Sequence, residues 1–137
     1  MNAASGVLFS LAIFGLLFGL QLLVLAPLEA EVGATEAQIR AFNPNVLDKI
    51  MLIHRFEGLY MASLSLVLCF ISLGPFRKGE KWAWYLTLGT FGLALVGGAI
   101  LTYMGTNVLA SWYLPAAILL VILWFVGLLL PVKEFFR

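Results

Sequence analysis

Residues 43–75 read NPNVLDKIMLIHRFEGLYMASLSLVLCFISLGP, and this stretch decides the fold. Asn43 is a good helix N-cap and Pro44 is tolerated at the first helical position, so the pair marks a start. Gly74-Pro75 marks the stop, because proline cannot continue the helix ladder and restricts the residue before it. Thirty residues from Pro44 to Leu73 make a helix of about 45 Å, against a bilayer hydrocarbon core of about 30 Å. A span over about 46–73 is therefore expected, with the polar start (Asn45, Asp48, Lys49) able to stand outside the apolar layer. Near that start, His54-Arg55-Phe56-Glu57-Gly58 holds the only histidine and three ionisable groups within four residues. Counting back from Leu73, Glu57 falls roughly 6 Å inside the opposite boundary and His54 almost on it. Arg55 can snorkel to the interface from there. Glu57 requires a partner.

The rest of the chain agrees with a membrane setting. Of its 137 residues, 63% are hydrophobic and 11% charged, and the mean hydropathy is +1.05. That excludes an ordinary soluble domain. A net charge of +1 gives no electrostatic reason to expect a nucleic-acid partner. The lone Cys69 cannot form an internal disulfide. One histidine and one cysteine cannot supply a zinc or iron–sulfur ligand set within one chain, and no metal site is expected.

Three further spans are expected. The first, about 7–26, is an uninterrupted apolar run closed by Pro27. It lacks the basic start of a signal peptide and has too long an apolar core, so it reads as a transmembrane helix. Gly15 and Gly19 form a GxxxG pair that would let another helix backbone approach. Gln21 is its strongly polar residue. Residues 27–43 form an exterior loop with Glu29, Glu31 and Glu36 against Arg40; spaced carboxylates of this kind read as solvated. Within it, Thr35-Glu36-Ala37-Gln38 matches a capping box, so a short surface helix is expected with Ile39 and Phe42 on one side.

The third span, about 82–104, opens with Trp82, Trp84 and Tyr85 as an interfacial aromatic anchor. Along it Thr90, Ala94, Gly98, Thr102 and Thr106 recur every four residues, flanked by Gly89, Gly92 and Gly97. Such a row suits close helix packing. The fourth span, about 112–131, is anchored by Trp112 and Tyr113, has Pro115 in its first turn, and ends at Pro131. Arg77, Lys78, Lys81, Lys133 and Arg137 gather on one side, which the positive-inside rule makes cytoplasmic. The expected fold is an all-α integral membrane protein with four transmembrane helices in an up-down-up-down bundle. Both termini then face the cytoplasm, and the bacterial inner membrane is the expected location.

This topology sets Gln21, His54, Glu57, Tyr60 and Tyr103 at similar depth near the outer leaflet, together with Asn107, Trp112 and Tyr113. Arg55 lies about 160° around the helix from Glu57, so the two cannot pair directly. Glu57 is expected to point into the bundle and meet Gln21, Tyr103 or His54. One reading is a structural polar cluster; the other is a pocket for a quinone, a lipid headgroup or a tetrapyrrole ligated by His54. His54-Arg55-x-x-Gly58 resembles the short quinone-side signature of the large cytochrome b subunit of succinate dehydrogenase. The resemblance covers five residues, lacks the serine that precedes the motif, and sits in a chain with an extra span, so it carries no assignment. No catalytic constellation is present, and no cofactor is assigned. The function expected is that of a non-catalytic accessory or scaffold subunit, partnered by the lipid bilayer and by other membrane subunits or further copies of itself. The alternative is a small membrane ligand-binding protein using the pocket around His54 and Glu57.

Overall fold

The computed structural model describes residues 2–25, 34–105 and 113–136, which are mainly helical, with no strand among them. In order they are α1 (Asn2–Leu25), α2 (Glu36–Phe42), α3 (Pro44–Leu73), α4 (Lys81–Leu86), a π-helical segment (Thr87–Phe91), α5 (Gly92–Gly105), α6 (Tyr113–Leu129) and α7 (Val132–Phe135). Among the described residues, four stretches are long and apolar enough to cross a membrane: Ala3–Leu25, Pro44–Leu73, Lys81–Ile100 and Ile118–Phe135.

Residues Phe14–Leu64 form one compact unit. Here the local signals act as the residue types require. Thr35 caps α2, its side chain accepting from Gln38 N at 3.2 Å, while Gln38 Oε1 accepts from Thr35 N at 2.8 Å. Arg40 and Glu36 pair at 2.9 Å one turn apart. Asn43 then serves two helices. Its backbone N–H closes α2 on Ile39 O, and its Oδ1 accepts from Asn45 N at 3.0 Å to open α3. Ile39 and Leu47 are buried together, with Ala34, Ile50 and Met51 packed around them. The expected apolar side of α2 is thus narrower than its spacing suggests: Ile39 is covered, whereas Phe42 is 87% exposed.

The second unit comprises Met1–Ile13 and Ser65–Arg137. At the end of α3 the chain turns over 74–80, with Glu80 N bonded to Pro75 O at 3.0 Å. Gly79 supplies the left-handed residue of this turn at φ 77°, a conformation that costs a side-chain-bearing residue more. Phe76 is fully buried against Phe135, their ring centroids 4.9 Å apart, which ties this turn to α7. Trp84, Tyr85 and Phe136 form an edge-to-face aromatic cluster. On α1, Ser5 Oγ donates to Ser72 O of α3 at 2.5 Å.

The third apolar helix departs from regularity at Thr87–Phe91, which the periodicity of the sequence did not predict. Thr87 is buried, and its hydroxyl donates to Ala83 O at 2.8 Å. In the widened turn Gly92 N–H reaches back to Thr87 O, and the same carbonyl accepts from Trp124 Nε1 of α6 at 3.3 Å. A carbonyl has two lone pairs, so it can serve both donors. The Trp124 ring lies against Gly92, where a Cβ would stand 2.5 Å from Cζ2. The π turn, the glycine and the tryptophan are one packing device.

Candidate functional site

The long helix α3 carries the charged patch, and its faces separate the patch into inward and outward groups. His54, Gly58 and Ala62, each four residues apart, are buried. Arg55, Phe56 and Glu57 are exposed. The organising contact is between backbones. A Cβ built on Gly58 would stand 2.6 Å from Gly19 O and 2.5 Å from Leu23 N, and one built on Gly19 would stand 2.6 Å from Ala62 N. Any side chain at either glycine would force α1 and α3 apart, since the obstructing atoms are backbone. The GxxxG expectation therefore gains a specific content. Gly19 is buried in the crossing, and Gly15 is half-buried. Gly58, whose packing role was not anticipated, provides the opposing surface.

His54 stands one turn before Gly58 on the same buried row and is 6% exposed. Its Nδ1 lies 3.6 Å from Glu57 Oε2. That separation exceeds normal hydrogen-bond length, and the carboxylate is a close neighbour of the imidazole on the same helix. The Glu57 side chain is 57% exposed. The inward-pointing Glu57 expected above is thus corrected in part: the imidazole is covered, and the carboxylate sits beside it facing outward. The cause is helix geometry, because Glu57 is three residues from His54 and so stands on the edge of the face that Gly58 and Ala62 centre.

Among the other candidate ligand-binding residues, Gln21 and Tyr60 are exposed on their own helices. Tyr103 belongs to the second unit, where it lines an apolar groove of about 320 Å³ with Val96, Ile100, Ile118 and Ile122. The geometry brings His54 and Glu57 together.

The proposed interfacial anchors divide. Trp82 and Tyr85 are exposed, but Trp84 is half-buried and its indole donates to Leu128 O at 3.1 Å. Trp84 therefore joins two helices. Trp112 and the side chain of Tyr113 lie outside the described residues, as does the side chain of Thr102. Along the small-residue row, Ala94 is half-buried. Gly98 is exposed, and a Cβ built on it meets no heavy atom within 4 Å. The helix-packing expectation at Gly98 is not met among the described residues, where Gly92 packs against Trp124 instead. Spacing alone cannot tell two glycine faces of one apolar helix apart.

No protein-family model matches the sequence, and no curated protein and no solved structure matches it either.

Proposed function

We propose that this chain is an integral membrane protein, inserted as four spans with both termini in the cytoplasm, that serves as a non-catalytic subunit of a larger membrane assembly. The bacterial inner membrane is the setting that the basic residues at 77, 78, 81, 133 and 137 fit best. One observation carries the subunit reading. Gly89, Gly97 and Gly98 on the third helix each leave open space where a Cβ would be. Small residues on a membrane helix let a second helix approach closely; among the described residues no helix of this chain does so at these glycines, which fits a helix supplied by another subunit or another copy. The exposed Glu57 points the same way, since a carboxylate near the hydrocarbon boundary gains from a polar neighbour.

The test is gentle extraction from native membranes followed by native mass spectrometry. A stable, stoichiometric set of partner proteins or copies is expected. A monomer carrying one stoichiometric quinone, lipid or tetrapyrrole would instead support the ligand-binding alternative. That alternative is favoured by the buried His54 with Glu57 at 3.6 Å.

A further inference from the structure

A groove of about 310 Å³ in the second unit is lined by Ser5, Gly6 and Phe9 of α1, Leu73 at the end of α3, and Arg77 in the turn that follows. We propose that this groove holds the headgroup and upper acyl segment of an anionic phospholipid, with Arg77 as the phosphate donor. The proposal rests on the membrane reading above.

The order of the lining residues matches the order of a lipid. Arg77 lies beyond the last residue of α3, Ser5 is level with Ser72 through their hydrogen bond, and Phe9 is one turn further along α1. One helical turn is about 5.4 Å. The groove therefore passes from a cation to apolar side chains over the depth at which a phospholipid passes from phosphate to acyl chain. Leu73 is exposed, and Gly6 leaves open space where a side chain would begin, so the groove is open at the level of Ser5. Arg77 is exposed and makes no ion pair or hydrogen bond with another described residue. Its guanidinium is free to offer the two parallel N–H groups that fit a phosphodiester. The hydroxyl of Ser5 is committed to Ser72 O, which leaves Arg77 as the charged donor of the groove.

Charge selects the headgroup. Arg77, Lys78 and Lys81 lie within five residues of one another, and the contact of Phe76 with Phe135 brings the helix of Lys133 to the same turn. The acids in this region are Glu80, which accepts from the Trp82 indole, and Glu134. Cations outnumber acids, so a headgroup with no cation of its own, such as phosphatidylglycerol, is preferred over phosphatidylcholine.

The test uses the full-length protein, delipidated in mild detergent and then equilibrated with equal amounts of phosphatidylglycerol and phosphatidylcholine. Bound lipid is counted by native mass spectrometry. The wild type should retain phosphatidylglycerol several-fold over phosphatidylcholine. Arg77→Gln should bring the two near parity, Arg77→Lys should keep part of the preference, and Lys49→Gln, outside the groove, should leave it intact. Equal retention by the wild type, an unchanged preference in Arg77→Gln, or an equal loss in Lys49→Gln overturns the proposal. Displacement of the lipid by inorganic phosphate also overturns it, because the groove would then be a plain anion site. Failure of the membrane reading is separable: a protein released from membranes by alkaline carbonate refutes insertion, whereas a retained protein without lipid preference refutes only this site.

Discussion

Gly19 and Gly58 meet backbone to backbone, each standing where a Cβ on the other would fall within 2.8 Å of its carbonyl oxygen. This crossing joins the first and third helices within the unit that holds His54. It also identifies two glycines of the chain that bear on stability. Gly19→Ala or Gly58→Ala should destabilise the protein by about 1–3 kcal/mol, the usual cost of overpacking, because backbone atoms cannot rotate away. Gly98→Ala should change stability by less than about 0.5 kcal/mol, as expected for an open surface position. Thermal unfolding in detergent compares them directly. A loss at Gly98 equal to that at Gly58 would show that the chain packs on a different face.

Stability should also depend on two indole nitrogens. Trp124 Nε1 donates to Thr87 O, and Trp84 Nε1 to Leu128 O. Removing one such bond costs about 0.5–1.5 kcal/mol net, and more if the carbonyl is left dry. Trp124→Phe and Trp84→Phe should each lower the unfolding temperature. Trp82→Phe, on an exposed ring bonded to the neighbouring Glu80, should not. Equal losses at all three positions would mean that ring size, not the hydrogen bond, sets the effect.

Membrane topology is checked by cysteine labelling in a Cys69→Ser background. Glu36→Cys should react with an impermeant reagent added outside, and Lys78→Cys only after the membrane is opened. The opposite pattern would place the His54 end of α3 at the cytoplasmic face.

His54 and Glu57 should separate folding from partnership. His54 is buried, so His54→Ala should cost about 1–3 kcal/mol. The Glu57 carboxylate is largely exposed, so Glu57→Gln should leave folding within about 0.5 kcal/mol of wild type. It should, however, weaken retention of a partner subunit or a bound ligand, measured by co-purification. Unchanged co-purification would confine Glu57 to a passive surface role.

How far the sequence reaches depends on the range of the interaction. Helix limits and caps are local. Asn43-Pro44 starts α3, Gly74-Pro75 ends it, and Thr35 and Gln38 cap each other three residues apart, so each was legible from adjacent residues. The four long apolar helices follow from composition and length in the same way. The candidate site was legible in part: the His54–Glu57 spacing predicted their proximity, but not which of them is covered.

What only the tertiary structure decided is the rotation of each helix about its axis. In a long helix that is apolar on nearly every side, no amphipathic stripe marks the face that will be buried. Gly19 and Gly98 look alike in sequence, yet one meets Gly58 and Ala62 and the other meets no other described residue at its Cβ position. The same holds for Trp84 and Trp124, whose indoles find carbonyls more than thirty residues away, and for the π turn at Thr87 that receives one of them. These choices follow from shape and hydrogen-bond matching between helices distant in the chain, which no local pattern records.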